Sequence, residues 1–428
     1  MEPTTDSPPT EPADVQIPWD SPTVRIILLS TLLAPLGVPL ISPTLPVVRD
    51  TFGVSEPTAS LLISAYFVAG IVLSPLIGAL ADRLGRQMVL VASLVAFGVA
   101  GSAVVFASSF TTVLLIRIVQ GTASAGVFVA TVTIIGDTFE DAQRNAVLGI
   151  NTAVLSAGAA VFPVVGGVLV AVSWNAPYLL YPLAIPLAVV AWYVLEEPER
   201  AGDRATGPER SDGGADSGTV SLDADYVHGM FAAVGTGGVL PMYVATFAAE
   251  LLLFGSVLTA VPFLLTGSYG LEPAVVGAIL MLAEGTSVAV SAANGRFAKR
   301  TTNPALVEAG FLCLAVGFAV AWLAGSVLEI GVASAIIGAG IGLVLPSVDA
   351  EVSGRVTGRY RAGALSLRNS TTFLGRTLGP IAFAGIAATT GYSSLLFGGA
   401  VVALTVAGFV AAGTRWTDDP DRGSLQSA

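Results

Sequence analysis

Charge is what this sequence has least of. Asp, Glu, Lys and Arg make up 11% of its 428 residues, less than half of the roughly 25% with which a soluble domain covers its surface. That excludes an ordinary water-soluble enzyme. Cysteine occurs once, at Cys313, so neither a disulfide framework nor a cysteine-based zinc site can form. Histidine occurs once, at His228 in a polar stretch, where the plain reading is a solvated side chain. No glycine-rich loop ends in Lys-Ser or Lys-Thr, so nothing points to ATP as the energy source. The run Gly235-Thr236-Gly237-Gly238 has no strand before it. Lysine is reduced to Lys299, against 18 arginines. No catalytic constellation, metal site or cofactor is expected, and the chain is not expected to be an enzyme.

What is there is apolar: 54% of the residues are hydrophobic. The net charge of −11 belongs to two short segments. Residues 1–22 hold five acids and no base, and residues 196–225 hold nine acids and three arginines. The remaining 376 residues balance 16 acids against 16 bases. A basic surface for nucleic acid is absent. The tail is rich in Pro, Thr, Ser and Asp, a composition that cannot bury a core. No basic region and cleavage site precede the first apolar run, so no signal peptide is expected.

A bilayer core about 30 Å thick needs roughly 20 residues of helix. Twelve spans of that kind follow, at about 24–47, 57–80, 88–107, 111–136, 145–171, 177–195, 241–265, 273–294, 305–325, 330–352, 362–389 and 393–413. A membrane β-barrel would alternate over segments of about ten residues, whereas these runs are long and continuous. The expected fold is an all-α integral membrane protein. Its expected parts are an acidic tail (1–23), a six-helix bundle (24–195), an acidic linker (196–240), a second six-helix bundle (241–413) and a short tail (414–428).

Arginine sets the orientation. With both termini inside, fifteen of the 19 basic residues fall on the cytoplasmic side: Arg25, Arg83, Arg86, Arg144, Arg200, Arg204, Arg210, Arg296, Lys299, Arg300, Arg355, Arg359, Arg361, Arg415 and Arg422. Only Arg49 falls outside, and Arg117, Arg368 and Arg376 lie within spans. This is the positive-inside pattern, and a shift by one helix destroys it. The expectation is a multi-pass protein of the cell membrane with both termini cytoplasmic.

The two apolar halves are 172 and 173 residues long, and an offset of 217 relates them. It carries Gly78 to Gly295, Gly121 to Gly338, Arg144 to Arg361, Gly158 to Gly375 and Pro163 to Pro380 without gaps. Parallel repeats of six helices about an axis along the membrane normal are an architecture of secondary transporters.

Three motifs give that architecture a family. Between the second and third spans stands Gly78-Ala79-Leu80-Ala81-Asp82-Arg83-Leu84-Gly85-Arg86-Gln87, which resembles the signature loop of the major facilitator superfamily. The resemblance implies a cytoplasmic latch in which Asp82 and Arg86 join an acid at the end of the fourth helix, here Asp137, and hold the halves in the outward-open state. The second-half counterpart, Gly295-Arg296-Phe297-Ala298-Lys299-Arg300, lacks the acid. In the fourth span Arg117 precedes Gln120-Gly121, similar to the family's buried arginine motif; a snorkelling arginine used only for packing is the plainer reading. The fifth span reads Gly149, Gly158, Phe162-Pro163 and Gly166-Gly167. This resembles the glycine motif of the twelve-helix drug:proton antiporters, with Phe162 in place of a glycine. Gly375-Arg376-Thr377-Leu378-Gly379-Pro380 keeps the unaltered form in the eleventh span. Glycines also pack membrane helices without any role in antiport.

The charges deep in the spans are Arg117, Glu250, Glu284, Arg368 and Arg376. Glu250 lies about nine residues into its helix, or about 14 Å at 1.5 Å per residue, near the midplane. Low dielectric favours a neutral carboxyl group, the property a proton carrier needs. The family resemblance places the seventh helix on the central cavity, which makes Glu250 the first candidate; a static ion pair with Arg376 or Arg368 is the alternative. Asp349 and Glu351, close to Arg355 and Arg359, are gate or surface charges, and Pro35, Pro39, Pro43 and Pro46 bend the first helix. The expectation is a monomeric transporter working by alternating access, exchanging protons for a small organic molecule leaving the cell. Proton-linked uptake of an anionic metabolite is the rival, and a non-transporting receptor or assembly subunit a remote third. Acidic solvent-facing segments and arginine in place of lysine resemble proteins of salt-loving archaea.

Overall fold

The computed structural model describes residues 17–197, 235, 239–356 and 358–417. The acidic tail, nearly all of the acidic linker and His228 lie outside the described residues, as do the side chains of some helical residues, Gly78 and Asp82 among them. The described chain is helical throughout and contains no strand. Nine segments among the described residues are long and apolar enough to cross a membrane, and one of them, Gly363–Gly413, holds two helices. Pro22–Leu36 and Glu56–Ile71 are shorter apolar helices. Together they make the twelve-helix fold expected from the runs.

The first helix, α1, is broken where its prolines fall. Pro22–Leu33 gives way to single 3₁₀ turns at Ala34–Leu36 and Ser42–Thr44, and the chain resumes helix at Leu45–Phe52. Each proline removes an N–H donor and crowds the preceding turn. Then follow α2 (Glu56–Leu84), α3 (Arg86–Ala103), α4 (Phe110–Thr138) and α5 (Asp141–Val170). α6 starts as a 3₁₀ stretch, Ala176–Leu183, and continues as Ala184–Val194. α7 runs Leu240–Leu252, opens into a π-helical stretch at Leu253–Ala260 and closes as Val261–Tyr269. α8 (Pro273–Ala298), α9 (Asn303–Leu323) and α10 (Val327–Arg355) precede α11 and α12, which meet inside Gly358–Thr417 at Gly391, φ 82°. Short connections are closed by hydroxyl caps: Ser55, Ser109 and Thr302 accept from the third residue on. Ser326 and Glu329 form a reciprocal capping box at the start of α10.

The internal offset holds in three dimensions. A β-carbon on Gly121 would lie 1.7 Å from the Tyr66 carbonyl oxygen, and one on Gly338 2.0 Å from the Ala283 carbonyl oxygen. Tyr66 and Ala283 are themselves 217 apart, so the repeat carries the glycine together with the backbone it abuts.

The two halves meet at the end of the bundle that bears Arg49. Ser42 of α1 donates to the Leu258 carbonyl of α7 at 2.6 Å, and Ser64 of α2 to the Thr377 carbonyl of α11 at 2.7 Å. On α5 and α8 the contact is reciprocal. A β-carbon on Gly167 would lie 2.2 Å from the Pro273 oxygen, and one on Gly277 2.2 Å from the Pro163 oxygen. Glu56 joins Arg49 (2.8 Å) to the Tyr392 hydroxyl between α11 and α12 (2.5 Å), and the Arg49 guanidinium stands 5.7 Å from the Phe263 ring centre. Toward the Arg86 end, Gly149 on α5 and Gly285 and Gly295 on α8 meet nothing within 4 Å. The contacts between the halves close the bundle at the Arg49 end.

Candidate functional site

The charges that the sequence places deep in the spans gather into three groups. In the first half, Arg117 of α4 is fully buried. It donates to the Leu62 carbonyl of α2 (3.1 Å), Gln120 Oε1 (3.1 Å), the Tyr181 hydroxyl of α6 (3.4 Å) and the Gly37 carbonyl in the break of α1. Its guanidinium lies 4.5 Å from the centre of the Tyr66 ring. None of these partners is a carboxylate, and Arg117 makes no ion pair among the described residues. An arginine at this depth costs about 2.5–3.5 kcal/mol on insertion scales, and charge-assisted hydrogen bonds of about 1.5–3 kcal/mol each offset it. The proline break in α1 is what exposes the Gly37 carbonyl. Arg117 therefore clamps α1, α2, α4 and α6 together rather than snorkelling to the surface.

The second group spans the midplane of the other half. Glu250 of α7, 1% exposed, is held by Arg376 of α11 through two parallel contacts, Nε–Oε2 at 2.9 Å and Nη2–Oε1 at 3.0 Å. The helices come this close because glycines flank the arginine. A β-carbon on Gly375 would lie 2.8 Å from the Phe247 carbonyl oxygen, and one on Gly379 2.6 Å from that of Leu251. The π-helical stretch begins three residues after Glu250; such local widenings recur at functional sites. The Arg376 side chain is 29% exposed, so the pair is dry on the glutamate side and open on the arginine side. The guanidinium also faces two rings, Phe254 of α7 at 4.9 Å and Phe67 of α2 at 5.5 Å. Phe67 belongs to the opposite half, so one arginine holds a carboxylate in its own bundle and a ring in the other. Glu284 of α8 lies within the field of both Arg376 and Glu250.

The third group sits two turns closer to the Arg86 end. Arg368 of α11 places Nε 2.9 Å from Asp349 Oδ1 of α10. Glu351 pairs with Arg355 four residues on and accepts from Asn303 Nδ2 at 3.4 Å. Arg368 is thus not in the central group; Asp349 is its partner across α10 and α11, and Glu351 is the partner of Arg355 on its own helix end.

Of the signature-loop residues, Arg86 at the start of α3 reaches Asp137 at the end of α4, Nε–Oδ2 2.9 Å. Gly78 and Asp82 fall on the last turns of α2, with their side chains outside the described residues, and the Arg83 side chain is exposed. The sequence reading missed Glu197, just past α6. Its carboxylate accepts the first two backbone N–H groups of α3, Arg86 N at 2.6 Å and Gln87 N at 2.9 Å, an anion on the positive end of a helix. Gln87 in turn donates to the Trp192 and Leu195 carbonyls of α6. Gly85 makes room for this with φ 101°, and a β-carbon there would stand 2.8 Å from the Glu197 carboxylate. Gly85→Ala is therefore expected to cost about 1–3 kcal/mol from the backbone alone, read as a lower melting temperature in detergent. Glu197→Gln, which keeps an acceptor but removes the charge, should cost less.

The glycine pattern of α5 is distributed. Gly158 packs on Pro35 of α1, and Gly166 abuts the Leu40 carbonyl of α1, whose oxygen would lie 1.8 Å from a β-carbon at that position. Gly167 and the Pro163 carbonyl meet α8. Gly149, expected to pack with them, faces open space in this conformation.

A family model described as Major Facilitator Superfamily matches residues 27–380. The bacillibactin exporter of Bacillus subtilis (strain 168) is 27% identical over 375 residues, 85% of this chain and 89% of that protein. The quinolone resistance protein NorA of Staphylococcus aureus is 25% identical over 179 residues, 42% of this chain and 46% of its own length. Among solved structures, a bacterial homologue of the human lysosomal transporter Spinster, inward-facing and occupied, aligns with a TM-score of 0.75 at 16% identity, covering 94% of this chain and 98% of that one. The D-xylose-proton symporter aligns with a TM-score of 0.71 at 15% identity, covering 90% and 96%. At these identities the structural likeness carries the fold alone.

Proposed function

The chain belongs to the Major Facilitator Superfamily, and from that premise we propose that it is a proton-coupled exporter in which Glu250 carries the proton. Members of this family are secondary transporters rather than enzymes. They bind small molecules within the membrane, often with protons, and work by alternating access. The observation that supports the reading is the Glu250–Arg376 pair: a carboxylate 1% exposed, at the midplane, whose partner is 29% exposed and also touches the opposite half.

The arginine excess assigns the Arg86 end to the cytoplasm, which makes this conformation inward-facing, with both termini inside. Substrate enters from that side and competes with Glu250 for the neighbourhood of Arg376. A proton on Glu250 removes one of the two charges that hold the guanidinium in its own bundle. Arg376 then leans on the Phe67 ring or on substrate, and the contact between the halves changes with protonation. Coupling of this kind needs two states with different proton affinity, which a pair shared between the halves supplies. Arg86–Asp137 is the residue pair for the cytoplasmic latch, with Asp82 as its third member, and the α5 glycines serve the closure of the outer end.

Export is favoured over uptake of an anion by the surroundings of the arginines. Arg117 spends its donors on carbonyls and neutral oxygens, and Arg368 and Arg376 each face a carboxylate, so each guanidinium already has its hydrogen-bond or ionic partners within the protein. The two sequence relatives named above are an exporter and a resistance protein. A single chain builds the whole pathway, and we take the cell-membrane protein to work as a monomer; arginine in place of lysine supports a salt-loving archaeal source. The test is transport by the reconstituted protein in liposomes with an imposed pH gradient, across cationic, neutral and anionic compounds. Gradient-driven extrusion of a cationic or neutral compound is the expected result. Transport of anions alone, abolished in Arg117→Ala, would replace export with uptake.

A further inference from the structure

Outside the pathway, the second half carries a groove that the transport cycle does not use. Val290 and Phe297 of α8, Leu306 of α9, and Ala339 and Leu343 of α10 line a cleft of about 350 Å³. Both α8 and α9 pack on α10 and barely on each other, leaving α10 as the floor. At 3.6 residues per turn, Val290 and Phe297 lie on the far side of α8 from Gly277 and Glu284, so the cleft faces away from the other half. The outer surface beside it is apolar, with Leu312 and Val316 of α9 exposed. The only polar lining is at one end, where Arg300 and Thr301 stand at the turn between α8 and α9.

That end is where α8 leaves its apolar span, Pro273–Ala298, at the depth of lipid headgroups. Arg296 and Lys299 stand beside Arg300, all three are exposed, and none makes an ion pair among the described residues. An apolar cleft in the acyl region, closed at headgroup depth by Arg300 with Arg296 and Lys299 near it in sequence, has the charge and polarity order of one ligand class. We propose that this cleft binds an anionic phospholipid, one acyl chain along α10 and the phosphate on Arg300 and its neighbours. Scattered surface cations would attract anionic lipid through their charge alone; the cleft adds a place for the chain, so filling it must release the lipid even with every cation in place.

The experiment is native mass spectrometry of the full-length protein released from mild detergent, after incubation with phosphatidylglycerol or phosphatidylcholine of identical chains. The wild type is expected to retain one phosphatidylglycerol more tightly than phosphatidylcholine. Arg300→Gln should weaken that retention about fivefold, the worth of one basic residue near an anionic surface. Ala339→Phe, which fills the floor and leaves the charges alone, should abolish it. Leu343→Trp serves the same purpose should Ala339→Phe fail to fold, judged by its melting temperature. Equal retention of both lipids by the wild type, or full retention of phosphatidylglycerol by the filled variants, would overturn the proposal in favour of a nonselective lipid annulus or simple surface attraction.

Discussion

Glu250→Gln is expected to abolish the ability of a pH gradient to drive substrate uphill while leaving substrate exchange intact. Each pH unit is worth about 1.36 kcal/mol per proton, so a gradient of about two units can sustain at most about a hundredfold accumulation for one proton exchanged. Glutamine keeps the shape of the side chain and an acceptor for Arg376 but cannot take up or release the proton. The steady-state ratio in the variant should therefore fall toward one. Counterflow, in which labelled substrate exchanges across the membrane with no net proton movement, should persist and shows that the variant is folded and binds. Losing the carboxylate leaves Arg376 without its charge partner. In a fully buried pair that loss costs about 3–5 kcal/mol, and the partial exposure of Arg376 brings it well below that. Glu284→Gln is the comparison, since Glu284 sits in the same field while the direct contacts of Arg376 go to Glu250. Undiminished gradient-driven transport in Glu250→Gln would remove Glu250 from the coupling, and loss in Glu284→Gln alone would move the proton there.

The sequence states the number and length of the helices directly, because hydrocarbon thickness fixes how long an apolar run must be. It also states the break in α1, since four prolines in twelve residues cannot continue a helix. The repeat was legible at Gly121 and Gly338, where only hydrogen fits against a facing carbonyl. The partner of Glu250 was not, because Arg368 and Arg376 sit on one helix and the choice depends on its rotation. A cue was present all the same: glycines three residues after and one before Arg376 let that turn of α11 approach α7. The tyrosines around Arg117 and the Glu56–Tyr392 contact, 336 residues apart in sequence, arise from packing between distant helices, to which the pattern along a single helix is blind. The π-helical stretch of α7 carries no proline of its own; its Gly255 lies 2.7 Å, by β-carbon position, from the Gly379 carbonyl, a tertiary constraint. Glu197 was hidden by its company, one acid among nine in a segment that reads as solvated.

Gly277→Val is expected to shift the resting population toward the state open at the Arg49 end. In the conformation seen here the α5 and α8 backbones touch: the β-carbon at 277 would be 2.2 Å from the Pro163 oxygen, 2.7 Å from its carbon and 3.0 Å from Val164 Cα. All three are main-chain atoms, so no side chain can turn aside. Ordinary contact begins at 3.4 Å, and the helices must separate by more than about 1 Å, a distortion of the overpacking kind worth about 1–3 kcal/mol. Once that end opens, α5 and α8 part there and the cost disappears. A penalty paid in only one of two states moves the equilibrium by its full size, here about five- to 150-fold. Gly167→Val, the reciprocal contact on Pro273, should act the same way. The readout is a cysteine placed at Ser64, which is buried against the Thr377 carbonyl, in a background with Cys313→Ser and labelled from outside by an impermeant maleimide. Labelling should rise about tenfold or more in either valine variant, with turnover falling because the outer end no longer closes. Gly149→Val and Gly285→Val meet open space in this conformation and should leave outer labelling at the parent level. Unchanged labelling in Gly277→Val would show that the α5–α8 contact does not govern the outer closure, and that the gate rests instead on Arg49, Glu56 and Tyr392.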